Sequence, residues 1–299
     1  MIKQIAAKVP NNIKSNILKR IPNDYKEKYH LLRRRVLWEI GKRTSHKRAL
    51  PGFLIVGAQK SGTSSMFRLL EMHPQVYGSL KKEVHFFDRN YGKGINWYKS
   101  HFPMKKKIKK GCVTGEASPC YLMFPHAAER ISQLLPNVKL IILLRNPVER
   151  AISQYFHEVS GGRESLSMEE AFKAEDDRIR PELKRLHEDK TYHSTIYRDY
   201  SYKKRGVYID QIRQYLQFFN REQLCIIKSE EYFENPNHIV KKVYAFLGVD
   251  DSFTPRASKP KKIRDYSGRQ FEAVRKDLQE YFAPQNKKLY EILGENFNW

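Results

Sequence analysis

The chain alternates between short apolar runs and amphipathic stretches. Residues 53–58, Phe-Leu-Ile-Val-Gly-Ala, are apolar, of strand length and end near a glycine, which predicts a strand buried on both faces. Residues 59–65 are polar. Met66, Leu69, Leu70 and Met72 or His73 then recur at helical spacing until His73-Pro74 stops the helix. The first unit is therefore strand, glycine-containing loop, helix. Variations of it follow. Residues 113–116 predict a short strand, and residues 124–135 a helix entered at Pro125. Residues 138–144 form a second continuous apolar run, read as a central parallel strand, after which Arg145-Asn146-Pro147 leads into a helix reaching about Glu158. A helix over 206–219, a strand over 224–228 and a helix over 236–247 closed by Gly248 complete the alternation. Residues 270–293 predict two helices parted by Pro284, and residues 160–205 a charged helical insertion over the core. Strands alternating with helices define an α/β class: a single domain with a mostly parallel central sheet flanked by helices and a P-loop-like phosphate-binding loop.

Composition narrows this. At 299 residues, with 40% hydrophobic and 12% aromatic residues, the chain can bury a sizeable core, which excludes wholesale disorder despite 30% charged residues. No run of about 18 apolar residues predicts a membrane span, and the first residues lack the apolar centre of a secretion signal. Cys112, Cys120 and Cys225 have neither the number nor the spacing of a disulfide framework or zinc site. A reducing, cytoplasmic location with peripheral membrane association is the resulting expectation.

The net charge of +23 points to an anionic partner without naming it. Residues 1–50 hold 14 Lys or Arg against 3 Asp or Glu, a net of +11. They are set apart as a basic extension from a domain over 51–299. Arg33-Arg34-Arg35 stands beside Val36, Leu37, Trp38 and Ile40, so the extension reads either as an arm touching an anionic membrane or polymer, or as a solvated extension packed on the domain. Lys105-Lys106-Lys107 with Lys109 and Lys110 predicts an exposed loop tip.

The chemistry begins in the loop after the first strand. Free N–H groups and a helix dipole favour an anion there. Gly57 and Gly62 have the spacing of a nucleoside-triphosphate loop, G-x-x-x-x-G-K-[ST], but Thr63 follows Gly62 and the lysine comes earlier, at Lys60. The strand over 138–144 ends in Arg145, where a triphosphate enzyme needs a carboxylate for Mg²⁺. An arginine there attracts phosphate and repels the metal, so the site reads as cationic and metal-free. Rival classes are a P-loop kinase of a small molecule or sugar, and a non-enzymatic polyanion binder. No nucleic-acid motif is present, so no nucleic-acid partner is expected.

Three stretches in order carry a resemblance: QKSGTSS after FLIVG, KKEVHFFDRNYGKGINWYKSHFP, and LLRNPVERAISQYFHE. Together they resemble the sulfotransferases that use 3′-phosphoadenosine 5′-phosphosulfate (PAPS), and within them the glycan-modifying branch of heparan sulfate enzymes and bacterial relatives. The resemblance covers 51–299 and implies sulfuryl transfer from PAPS to a hydroxyl or amine by in-line displacement, leaving PAP and requiring no metal. It implies an oligosaccharide or polysaccharide acceptor. It places the 5′-phosphosulfate on Lys60-Ser61-Gly62-Thr63-Ser64, the 3′-phosphate on Arg145 and Ser153, and the base at Glu83, with His85 as a rival base and Asp88 beside it. Lys60 is then the electrophile at the bridging oxygen. Taken alone, each of these residues also has an ordinary reading: Glu83 as a surface ion pair with Lys81 or Lys82, His85 as a satisfied core histidine, Arg145 as a helix-cap or ion-pair residue. Two departures stand out. The heparan sulfate 3-O enzymes resemble E-K-[ST]-P where this chain has Glu116-Ala117-Ser118-Pro119, and their late K-G-R loop is matched only by Lys261-Lys262-Ile263-Arg264, so Lys262 and Arg264 carry over as weaker nucleotide contacts.

Overall fold

The computed structural model describes residues 36–255 and 271–299. Lys262, Arg264 and most of the basic extension lie outside them. Five strands, β1 (Phe53–Gly57), β2 (Val76–Gly78), β3 (Val113–Ala117), β4 (Lys139–Leu144) and β5 (Leu224–Lys228), form one sheet in the order β2-β3-β1-β4-β5, with every neighbouring pair parallel. Strand residues alternate sides. Leu54, Val56, Leu140, Ile142 and Leu144 enter one apolar cluster, and Phe53, Ile55, Ile141 and Leu143 enter the other. Both faces are thus covered, which is why these strands read as unbroken apolar runs.

Residues 36–43 are helical, and twelve further α-helices flank the sheet among the described residues. α1 (Thr63–Glu71) follows β1, α2 (Phe86–Arg89) and α3 (Gly94–Lys99) precede β3, α4 (Ala127–Leu134) precedes β4, and α5 (Pro147–Ser160) follows it. Asn146 caps α5 by accepting from the N–H groups of Val148 (3.0 Å) and Glu149 (3.4 Å), with Pro147 at the first helical position. Val148, Ala151, Ile152 and Tyr155 put the buried stripe of α5 on the sheet. The charged stretch resolves into α6 (Met168–Lys173), α7 (Glu175–Glu188) and α8 (Thr195–Tyr200), followed by α9 (Tyr208–Leu216). α10 (Ser229–Glu234) and α11 (Pro236–Leu247) follow β5, and α11 ends at Gly248, whose φ of 77° suits glycine. The lysine run forms a short turn, Lys105–Lys107, with all three side chains exposed.

Two expectations need correction. The tail is one helix, α12 (Glu272–Leu293), with Pro284 inside it rather than between two helices. Pro284 is on the exposed side, where water can solvate the carbonyl that loses its intrahelical donor. The helix expected from Pro125 starts at Ala127. β2 was invisible in the pattern because three residues cannot display a period. No described helix is long and apolar enough to cross a membrane.

Candidate active site

The carboxyl ends of three adjacent strands carry the candidate residues. β1 lies between β3 and β4, and the chain leaves β1 toward one side and crosses to the other through β4. Ligands of open parallel sheets bind at such a switch of direction, outside the strand ends. The loop after β1 turns through Lys60 (φ 71°) and Gly62 (φ 92°) into α1. Gly62 is the N-cap and supplies no side-chain cap, so the first N–H groups of α1 are left for another acceptor. A Cβ on Gly62 would sit 2.8 Å from Phe233 Cζ, so glycine is required by space as well as by φ. Ser229 Oγ donates to the Ser61 carbonyl at 2.9 Å, and Tyr232 OH to Ser65 Oγ at 2.8 Å, fixing the loop from behind.

Arg145, 5% exposed, follows β4, and its Nη1 donates to the Lys60 carbonyl at 3.3 Å. Tyr208 OH donates to the Arg145 carbonyl at 2.8 Å. Two strand ends distant in sequence thus meet. Ser153 is two turns into α5 on its buried side, 7% exposed, whereas Ser64 is exposed. The loop, the uncapped helix start and Arg145 lie together, and N–H and guanidinium donors of this kind fit a phosphosulfate and a phosphate.

The second group lies in the connection from β2 to β3 and docks on the end of β3, where the Glu83 N–H donates to the Ala117 carbonyl at 2.9 Å. Glu83 and His85 both take left-handed backbone angles, φ 60° and 55°, unusual for side chains of their size. His85 is buried, its Nδ1 is 2.7 Å from Asp88 Oδ2, and its Nε2 is 3.4 Å from Glu83 Oε2. The imidazole is therefore held between two carboxylates. Burial pushes its pKa down, but the bonds to Asp88 and then Glu83 outweigh that, and the net direction is up. Lys82 Nζ pairs with Glu83 Oε1. Glu83 does not have the upward-tuned carboxyl that partial burial suggests. The His85 bond, opposed by burial and reinforced by Lys82, pulls it down to about 2. The ion pair expected of an ordinary surface glutamate is present, together with the His85 contact that such a glutamate lacks.

A residue that sequence reasoning quoted only as part of a motif, beside the departure at Ala117, organises this loop. Glu116, fully buried in β3, accepts from Tyr98 OH and Tyr121 OH at 2.9 Å each, from Ser118 Oγ at 2.8 Å and from the Val84 N–H at 3.3 Å. Ser118 Oγ in turn accepts from the His85 N–H at 3.1 Å, and Tyr121 OH from the Phe86 N–H at 2.7 Å. One carboxylate thus fixes three consecutive backbone N–H groups beside Glu83. Burial raises its pKa, against the pull of its three hydroxyl donors. The available signal was an acidic residue inside an apolar strand just before Ser118. Phe86 and Tyr98 stack at 4.3 Å between centroids and belong to the core, while Trp97 is half-buried.

His85, Asp88 and Cys120 offer ligand atoms within 4.8 Å of one another and could hold a metal ion. His85 Nδ1 is occupied by Asp88, and burial pushes the Cys120 thiol up to about 11, so a cation there would have to displace protons from both.

Comparison with known proteins agrees with this architecture. The family model described as "Sulfotransferase domain" matches residues 50–281. The chain belongs to the sulfotransferase family. It is 26% identical over 317 aligned residues to the membrane-associated sulfotransferase kil1 of Dictyostelium discoideum, covering 84% of this chain and 66% of that protein. It is 28% identical to human heparan sulfate glucosamine 3-O-sulfotransferase 6, covering 85% of this chain and 75% of that protein. A crystal structure of a sulfotransferase from Alicyclobacillus acidocaldarius superposes with a TM-score of 0.64 at 33% identity, over 83% of this chain and 98% of that one.

Proposed function

We propose that the chain transfers a sulfuryl group from PAPS to a glycan hydroxyl, with Glu83 as base. The observation that carries this is the contact of Arg145 with the Lys60 carbonyl, which brings the ends of β4 and β1 together beside the carboxylates of the β2–β3 connection. Within the proposal, residues 51–299 form the catalytic domain and residues 1–50 a basic extension. The kil1 description, membrane-associated, supports membrane association, and the extension is proposed as the part that makes it.

When bound, PAPS supplies an activated sulfuryl group on a phosphate leaving group. Lys60, Gly62, Thr63 and Ser64 hold the phosphosulfate, with Lys60 countering charge that grows on the bridging oxygen. Ser61 is buried and shapes the loop through its carbonyl. Arg145 and Ser153 hold the 3′-phosphate and separate PAPS from ATP. Glu83 is half-exposed, with 42% of its side chain accessible, whereas both ring nitrogens of His85 face carboxylates. Glu83 is thus the group able to face an acceptor hydroxyl, and His85 with Asp88 orients it. The His85 bond first and Lys82 second hold this carboxylate down, so loosening of those contacts raises its basicity as the hydroxyl approaches. The glycan acceptor is supported by the heparan sulfate enzymes among the relatives and by the net charge of +23. The kinase reading is disfavoured because the strand end beside the loop presents Arg145 rather than a metal-binding carboxylate.

The test is transfer of radiolabelled sulfate from PAPS to a panel of glycans. Glu83→Gln is expected to keep PAP affinity and to lose about 10²-fold in turnover, the ordinary worth of a general base. Near wild-type turnover in this variant removes Glu83 from the role. Phosphate transfer from ATP–Mg²⁺ in place of sulfate transfer moves the protein to the kinase class.

A further inference from the structure

Two segments distant in sequence lie side by side on the outside of the domain. In the helix of residues 36–43, Gly41 is buried, and a Cβ there would run into the Ser100 carbonyl. The helix thus rests on the end of α3. The turn Ser45–Lys47 packs against α3, and Arg48 Nη1 donates to the Phe102 carbonyl. The Ala49 N–H donates to the Pro103 carbonyl at 3.0 Å, and Arg48 forms an antiparallel bridge with Met104. Residue 104 leads directly into the lysine turn Lys105–Lys107. Part of the basic extension is therefore joined to the catalytic domain and to its lysine run.

The charge of this surface is one-sided. Residues 36–49 and 91–112 hold 11 Lys or Arg and a single acidic residue, Glu39, a net of +10. Glu39 already pairs with Lys42 at 2.9 Å. Lys42, Arg43 and Lys47 are exposed, as are Lys105 to Lys107, Lys109 and Lys110. Apolar side chains are exposed among them. Val36 and Ile40 are 51% and 44% exposed and, four residues apart, share the helix face turned away from Gly41. Ile95 on α3 is 37% exposed. A soluble polyanion would meet the charge but give Val36 and Ile40 nothing apolar to enter. An anionic bilayer meets both, with lysines reaching the headgroups and aliphatic side chains entering the acyl boundary.

We infer that the helix of residues 36–43 and the lysine turn at 105–110 form one surface that docks on an anionic lipid bilayer. The inference rests on the membrane association proposed above and deepens it: the catalytic domain itself, and not the extension alone, touches the lipid.

Cosedimentation of the full chain with vesicles tests this. The probes are phosphatidylcholine vesicles with and without about one-third phosphatidylglycerol. Binding is expected to the anionic vesicles only and to weaken as salt rises. Changing Lys105, Lys106 and Lys107 together to glutamate should weaken it about 10²-fold or more, since each basic residue near such a surface is worth about fivefold. Ile40→Asp should weaken it about fivefold or more, because an inserted aliphatic group is replaced by a charge. Both changes are at exposed positions, and thermal unfolding checks that the variants stay folded. Absence of vesicle binding by the wild type strikes the membrane association and this inference together. Equal binding to the two vesicle types overturns the inference. So does binding lost when Arg33, Arg34 and Arg35 become glutamine but unchanged in the lysine and Ile40 variants, which leaves membrane association to the extension alone. Binding that needs the lysines, ignores Ile40→Asp and is displaced by soluble heparin also overturns it, and makes the surface a polyanion site.

Discussion

Glu116 offers the strongest test of how this site is held. Its carboxylate accepts four hydrogen bonds in a fully buried setting, and three of the donors lie in or directly support the 84–86 backbone. Glu116→Leu leaves Tyr98 OH, Ser118 Oγ and the Val84 N–H without that acceptor, while Tyr121 OH keeps its bond from Phe86. At about 1 kcal/mol net per bond, four lost bonds amount to ~4 kcal/mol, reduced by recovery of the cost of burying a carboxylate, for a net of ~2–4 kcal/mol. Glu116→Gln keeps an oxygen for the two tyrosines and lets Ser118 rotate to accept. It turns a donor toward the Val84 N–H, so a loss of ~1–2 kcal/mol is expected. The functional consequence should exceed the stability loss. Glu83 and His85 occupy left-handed angles that cost ~1 kcal/mol each and persist only while their surroundings hold them. Urea denaturation at constant m-value measures the first effect. Turnover with PAP affinity as control measures the second, and Glu116→Gln should lose ~10-fold in turnover with little change in PAP binding. If Glu116→Leu unfolds at the wild-type midpoint, or Glu116→Gln turns over at the wild-type rate, then Glu116 does not hold the loop of residues 83–86.

Further expectations follow from the same geometry. Arg145→Ala should weaken PAP binding by ~10-fold or more in equilibrium titration, because a buried phosphate partner is lost; Lys60→Ala should reduce turnover more than affinity, and the reverse order would exchange their roles. Gly62→Ala meets both φ 92° and Phe233 at 2.8 Å, so thermal unfolding should show a loss of ~1–3 kcal/mol, and an unchanged Tm would mean the loop is slack. Glu175 is fully buried and accepts from the N–H groups of Lys203 (2.6 Å) and Lys204 (2.8 Å), yet burial lifts its carboxyl to about 7. Its folded pKa lies above the unfolded value, so its contribution is fully present below about pH 4.5 and is lost as pH rises through about 7. The loss approaches ~3 kcal/mol, and Glu175→Gln should flatten that part of a stability–pH curve. An unaltered slope between pH 5 and 7 would refute the assignment of that titration to Glu175.

The parallel sheet and its loop were legible in the chain because their physics is local. A strand covered on both faces must be apolar throughout, and residues 53–57 and 139–144 are. Asn146-Pro147 and Gly248 stand where capping and left-handed geometry require them. The resemblance likewise brought Lys60, Arg145, Glu83, His85 and Asp88 into one expectation. Less legible were features decided by exposure or by distant neighbours. Pro284 reads as a break, yet it faces water and α12 continues through it. Glu83 reads as a base or as a surface ion pair, and only its neighbours His85 and Lys82 show a carboxyl drawn down to about 2.

Along the chain alone, then, lay the alternation of strands and helices, the glycine-bearing loop, the excess of positive charge and the types of residue able to handle a phosphosulfate. Tertiary structure decided which of those groups work together. Spacing cannot reveal that Arg145 reaches the carbonyl of Lys60, that Glu116 holds the loop 84–86, or that Arg48 and Ala49 bond to Phe102 and Pro103 beside the lysine turn. The reason is that electrostatic and hydrogen-bond energies depend on separations of a few ångströms and on burial. Both are set when distant segments meet across the sheet.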